Sequence, residues 1–214
     1  MGALEDDVAG LGSVERASLA VLIRHLGWFR AVRIGLGLTG AQRRGAPFQH
    51  LPSPDSWKER GSREQAGSAI LLYRALLKVL PPEQALHVTT EVVEAGGVAF
   101  LTQSIGLLNR NLIEQMSEEE RRAFSVDRSA RFPNATLSWD EISTERVAFT
   151  VHKCRLLELA VEAGHPELAP AFCSGDAKFF GQTLPDVTLT RPATLASGDP
   201  HCTFIIKWKD DGES

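Results

Sequence analysis

Thiols are scarce in this chain and absent before residue 154: its three cysteines are Cys154, Cys173 and Cys202 in a length of 214. Three cannot all pair with one another, and small disulfide-built secreted domains carry many more in fewer residues, so reduced thiols are expected. A basic excess is also missing. With 23 Lys and Arg against 27 Asp and Glu, a net charge of -4 and a pI near 5.9, nothing is available to replace phosphate counterions, which excludes a nucleic-acid partner held that way. A small molecule is the expected partner. No apolar run of bilayer length occurs uninterrupted: the richest stretch, Ser18 to Leu38, contains Arg24, His25, Arg30 and Arg33, each costly at a bilayer centre. No membrane span or membrane partner is expected. Met1 to Asp7 are acidic and no apolar signal run follows, which makes the cytoplasm the expected location. Phosphate-cradling glycine loops, serine-hydrolase elbows and paired metal-binding histidines are absent as well. So is the short Cys-x2-Cys spacing of zinc knuckles, and the expected cofactor is therefore none. A tetrahedral zinc set made of the three thiols with His152 or His201 stays open as the alternative.

What is present suits one domain over residues 1–214, in which 43% hydrophobic and 23% charged residues bury roughly 70% of the unfolded surface. Residues 1–132 read as mainly helical. Leu19, Leu22, Leu26, Phe29 and Val32 recur at helical spacing and predict one amphipathic helix through Ser18 to Leu38. Residues 35–63 are rich in Gly, Pro, Ser and charge and read as a long loop, with Phe48, His50 and Trp57 able to anchor it as a surface excursion or fold it over a pocket. Helical periodicity returns from Glu64 to Leu80 and stops at Pro81-Pro82. Glu83 to Glu94 and Val98 to Gln115 read as two helices parted or kinked at Gly96-Gly97. Ser117-Glu118-Glu119-Glu120 is a capping box opening another.

Residues 133–214 are strand-rich and carry the cysteines. Ala135 to Trp139 and Glu145 to Val151 read as antiparallel strands, the second alternating Val147, Phe149 and Val151 with Ala148, Thr150 and His152. Leu156 to Ala163 reads as a helix closed by Gly164, and Pro166 to Pro170 as a short helical turn. Val187 to Thr190 and His201 to Lys209 are the remaining strands, with Cys202, Phe204 and Ile206 on one side. The fold class is α+β: a helical N-terminal half packed on a small antiparallel sheet with short C-terminal helices.

The series Val151-His152-Lys153-Cys154, Phe172-Cys173-Ser174-Gly175-Asp176 and Thr194 to Phe204, with its Gly198-Asp199-Pro200-His201-Cys202 core, resembles the C-terminal half of the L-2-amino-thiazoline-4-carboxylic acid hydrolase family. Its closing Gly-Asp-x-x-Cys-x-Phe pattern is also similar to the end of 4-vinyl-reductase-like ligand-binding domains. The first resemblance implies hydrolytic opening of a cyclic amidine, the 2-aminothiazoline ring, toward a carbamoyl cysteine. A hydrolase or cyclase-like enzyme acting on another small heterocycle in specialised metabolism is the alternative. The second resemblance implies a non-catalytic small-molecule-binding module, which would act through a partner or through a homodimer.

Ring opening needs a nucleophile at the ring carbon and a proton for the departing atom. Cys173 is the candidate nucleophile: Ser174 or Asp176 can cap a short helix Ala177 to Phe180, whose N-terminal dipole would favour a thiolate. Asp176 suits a base for water or a partner for the substrate's amidinium. His152 is a candidate acid or base, two residues before Cys154 and of the same strand parity. Cys154 and Cys202 join the expected substrate-binding set, and Arg191 or Lys153 would receive a substrate carboxylate. Each has a plainer reading: buried core thiols, a helix cap for Asp176, strand-face histidines and surface cations.

Overall fold

The computed structural model describes residues 12–106, 108, 110–184 and 186–209. Its first helices are α1 (Ser13–Leu26) and α2 (Trp28–Arg43). The single stripe expected across Ser18 to Leu38 is broken at Gly27, whose φ of 76° is open only to a residue without a Cβ. The break resets the helical phase, and Phe29, expected in the stripe, is 83% exposed. Helix α2 continues to Arg43 and α3 (Trp57–Leu76) begins at a Ser56 cap whose Oγ accepts from the Glu59 amide at 3.2 Å. Of the expected loop 35–63, only 44–56 is irregular. Phe48 anchors it in the core while His50 and Trp57 stay exposed.

Helix α4 (Pro82–Ser104) runs unbroken through Gly96-Gly97. These glycines are there for contact rather than for a break. A Cβ on Gly97 would meet the Gly175 Cα at 3.4 Å, and one on Gly96 would meet Ser18 Oγ at 2.8 Å. Two helices therefore lie close against α4, one through the Ser18 side chain and the other backbone on backbone at Gly175, and the second carries Asp176. After α5 (Arg110–Gln115) comes α6 (Glu118–Ser129). Its capping box is complete: Ser117 N donates to Glu120 Oε2 at 2.8 Å and Glu120 N to Ser117 Oγ at 3.2 Å.

Strands β1 (Ala135–Ile142), β2 (Arg146–Cys154), β3 (Val187–Thr190) and β4 (Cys202–Trp208) form an antiparallel sheet in the order β1-β2-β4-β3. Phe149 pairs with Phe204 and Val151 with Cys202. The outer face is polar: Thr150 Oγ1 donates to Asp140 Oδ2 at 2.8 Å, and Ser138 Oγ lies 2.8 Å from His152 Nε2.

Between β2 and β3 lie α7 (Arg155–Glu162), a 3-10 turn at Pro166–Leu168, α8 (Ala169–Lys178) and one π-helical turn, Phe179–Thr183. The short turn expected at 166–170 and the short helix expected at 177–180 are the two ends of one helical run. Proline at first-turn positions starts a helix rather than stopping it, since its missing N–H has no partner there, and Pro170 is such a residue. Arg155 fixes α7 to α3 through Glu59, with Nε to Oε2 at 2.8 Å and Nη2 to Oε1 at 2.9 Å. No helix among the described residues is long and apolar enough to cross a membrane.

Candidate functional site

Helices α6 and α8 and the end of α4 do not close fully on the inner face of the sheet. They leave a cavity of about 230 Å³ bordered by Cys154, Cys173, Asp176 and Cys202. A second cavity of about 810 Å³, among the N-terminal helices, reaches the same carboxyl. Leu101, Phe132, Asn134, Leu156, Phe172 and Asp176 border both. Asp176 thus stands in the partition between a sheet-side and a helix-side space.

Four of the sequence-predicted site residues meet here, each for a local reason. Cys173 and Asp176 lie three apart on α8 and so share a face. Cys202 opens β4 on the inner face, where its Sγ accepts from the Leu195 amide at 3.2 Å. Cys154 arrives through a bulge. Lys153 pairs with Thr136 and Val151 with Leu137, so His152 is left as the extra residue. A bulge of this kind reverses the side-chain alternation beyond it. The parity expected to join His152 to Cys154 therefore fails: the thiol faces the cavity, whereas His152 is exposed on the outer face beside Ser138. Lys153 is exposed as well and borders neither cavity.

Arg191 is drawn in, though not as expected. Its Nη2 donates to the Cys173 carbonyl at 2.9 Å and its Nη1 to Asp176 Oδ2 at 3.4 Å, with the guanidinium 5.4 Å from the Phe204 ring centre. It does not border the cavity. It stands behind the wall, committed to α8, and is not presented to a substrate carboxylate.

Electrostatics separate the carboxyl from the thiols. Burial raises Asp176 from 3.8 to about 6, with Arg191 opposing. Its side chain keeps 29% of its surface accessible, but that surface faces the cavities, so the group is both reachable and poorly hydrated. Burial raises the Cys173 thiol from 9.0 to about 11; Arg191 opposes this, while Asp176 and the two other cysteines add to it. Cys173 lies in the middle of α8 rather than at a helix N-terminus, so the expected dipolar help is not there. The thiol at a helix N-terminus is Cys154, the N-cap of α7. Its pKa is also raised, by burial, against the opposing amides of Leu157 and Leu156 and the Asn134 side chain.

The zinc alternative is not assembled. His152 points to the opposite face, and among the described residues no group of three His, Cys, Asp or Glu side chains could hold a metal ion. Sequence reasoning missed Asn134, which touches Cys154 from the start of β1, and Phe172, which stands in the partition. It also missed Arg121 and Arg128, which border the sheet-side cavity from α6. Their i, i+7 spacing with Phe124 and Ser125 between was the available signal: it places all four on one helical face.

The family model described as L-2-amino-thiazoline-4-carboxylic acid hydrolase fits residues 61–206, spanning α3 to β4 and all three cysteines. No curated protein and no solved structure matches.

Proposed function

The chain belongs to the L-2-amino-thiazoline-4-carboxylic acid hydrolase family, and we propose that it hydrolyses a small cyclic amidine with Asp176 as the base. One observation carries the reading: a carboxyl poised at about 6 in a cavity wall, within the range where it can both take and return a proton near neutrality. Ionised, Asp176 pairs with the amidinium of the ring and draws a proton from water as the water oxygen bonds to the ring carbon. The resulting tetrahedral carbon carries the hydroxyl, the exocyclic amine, the ring nitrogen and the ring sulfur. Protonated Asp176 then returns its proton to whichever ring atom departs, so that one C–N or C–S bond breaks and a carbamoyl group remains. Arg191 holds the carboxylate in place from behind.

The thiol route is less favourable. Burial holds the Cys173 proton more tightly than the Asp176 proton, so moving it to Asp176 is uphill before any bond forms. Cys173 is accordingly assigned to the substrate-contacting wall with Cys154 and Cys202, rather than to attack.

Proton NMR of racemic 2-aminothiazoline-4-carboxylate with the purified protein tests this. One enantiomer's ring signals are expected to disappear, at a rate that rises as pH passes about 6. Asp176→Asn should lower the rate about 10²–10⁴-fold, Cys173→Ala should keep most of it, and His152→Ala should leave it unchanged. Full activity in Asp176→Asn, or its abolition in a folded Cys173→Ala, removes the water mechanism. A ring that stays intact while the ligand raises the melting temperature supports the binding-module reading instead.

A further inference from the structure

Helix α6 presents an unusual face to the sheet-side cavity. Its carboxylates Glu118, Glu119, Glu120 and Asp127 are exposed, while Arg121, Phe124, Ser125 and Arg128 border the cavity. Among the described residues neither arginine has a carboxylate partner. Arg121 Nη1 donates to the Met116 carbonyl, and Arg128 Nη1 to the Ser104 carbonyl at 3.4 Å, with its guanidinium 4.8 Å from the Phe124 ring centre. Arg146, at the cavity rim, is answered by Glu141 at 2.7 Å. Among the described residues, four buried side-chain nitrogen or oxygen atoms lack a hydrogen-bond partner, and three of them are the Nε atoms of Arg121, Arg128 and Arg146. Dry, unpaired cationic N–H groups are rare because each forfeits its hydration. Arg121 and Arg128 thus bring to the cavity wall two cations that no carboxylate among the described residues answers.

The cavity is also long. It borders the sheet from the Val151–Cys202 pair through Phe149–Phe204 to Val147–Ile206, four strand positions or about 13 Å. Phe149 and Phe204 stack at 4.7 Å between centroids, and Trp139 meets Phe149 edge-on at 5.4 Å. In 2-aminothiazoline-4-carboxylate the amidine carbon and the carboxylate carbon are roughly 4 Å apart by bond lengths. That molecule would occupy one end and leave the aromatic floor uncovered.

We propose that the site takes an elongated carboxylic acid whose apolar body lies along Phe149 and Phe204 and whose carboxylate pairs with the Arg121–Arg128 face of α6. The inference rests on the reading of this cavity as the substrate site and extends it: the group hydrolysed sits at Asp176, and the molecule bearing it reaches away along the sheet. A guanidinium fork pairs with a carboxylate through two parallel hydrogen bonds, a geometry that an amide or alcohol does not reproduce.

The test uses 6-phenylhexanoate and its uncharged isostere 6-phenylhexanamide. Binding is followed by calorimetry and by the fluorescence of Trp139 and Trp208, which border the cavity. The carboxylate is expected to bind at least about tenfold more tightly than the amide, the discrimination due to one charge-assisted hydrogen bond. Arg121→Gln or Arg128→Gln should erase that preference while leaving the amide's Kd within about threefold. Equal binding of acid and amide to the unaltered protein overturns the proposal, as does an undiminished preference in both folded variants. Should one variant not fold, the other and the acid-against-amide comparison still decide. Turnover of the aminothiazoline without any acid preference sinks this inference alone; acid preference without turnover sinks the enzymatic reading alone.

Discussion

Replacing Asp176 by Asn should stabilise the folded protein at neutral pH and leave it nearly unchanged in mild acid. In the unfolded chain this carboxyl titrates near 3.8, and in the fold near 6. Because the folded value is the higher, the fold binds the proton more tightly. The group's stabilising share is present in full below pH 3.8, declines through the interval between the two values, and is gone above 6. A shift of about two pKa units corresponds to about 3 kcal/mol. Most of this, on the order of 2 kcal/mol, falls between pH 4 and pH 8, because at pH 4 the unfolded group is already more than half ionised. Asparagine does not titrate, so the difference in unfolding free energy between variant and parent isolates Asp176 from every other ionisable group. Any constant cost of offering Arg191 an amide in place of a carboxylate cancels from its pH dependence. Urea unfolding of both proteins at unit steps from pH 4 to 8 measures it. The variant should gain steadily on the parent between pH 4 and 6 and hold a constant margin above. A flat difference, or one that falls with pH, refutes the claim that this carboxyl is ionised at a cost in a poorly hydrated wall. The mechanism would then lose its base.

The close crossing of α4 and α8 should fail with a single methyl group. Gly175→Ala places a Cβ 3.3 Å from the Gly97 Cα, a contact with backbone that only a shift of one helix relieves, so a loss of about 1–3 kcal/mol is expected by urea unfolding, with reduced turnover from the displaced Asp176. The link between α3 and α7 should weaken in acid. Hydrogen bonds from Arg155, the larger contribution, and from Arg63 hold Glu59 down to about 2 from 4.5, so its stabilising share is present above pH 4.5 and lost as pH falls toward 2. Glu59→Gln should cost stability at pH 7 and close on the parent as the pH is lowered; a gap that widens in acid would contradict the assignment.

Some of this organisation can be read in the residues and some cannot, and the division has physical causes. The capping box at Ser117, the strands around Phe149 and Phe204, and the shared parity of Cys202 with Phe204 and Ile206 are local patterns that tertiary contacts reinforce. Gly96-Gly97 was misread because glycine carries two meanings, a weakened helix and a close approach, and only the partner segment tells them apart. That partner is Gly175, nearly eighty residues later. His152 was placed with Cys154 by a parity that holds only in an unbulged strand, and nothing in β2 itself announces the bulge. Ser174 and Asp176 are residue types that cap helices, which places a helix start just after Cys173, but the helix is already under way from Ala169. The grouping of Cys154, Cys173, Asp176 and Cys202 was legible chiefly from their clustering in the last third of the chain and from the family resemblance. Burial, which decides what each of them can do, was not.

Burial acts on the carboxyl and the thiols in the same direction, and the consequences differ because the starting points differ. Each is an acid whose charged form is disfavoured when water is withdrawn. A rise of about two units brings a carboxyl up to the neighbourhood of neutrality and carries a thiol further from it. At pH 7 the wall therefore presents the Asp176 carboxylate beside the protonated thiols of Cys173 and Cys154, with Arg191 behind to keep that carboxylate in register. Such a surface suits a cationic amidine joined to a soft sulfur-bearing ring. On the proposed reading Asp176 meets that charge, and the polarisable thiols pack against the ring without offering it a nucleophile. On this account the cysteines serve through size and softness, and a serine at Cys173 should impair binding more than the chemical step. Raised KM with kcat preserved in Cys173→Ser would express that difference, whereas a collapse of kcat with KM unchanged would return the sulfur to the reaction itself.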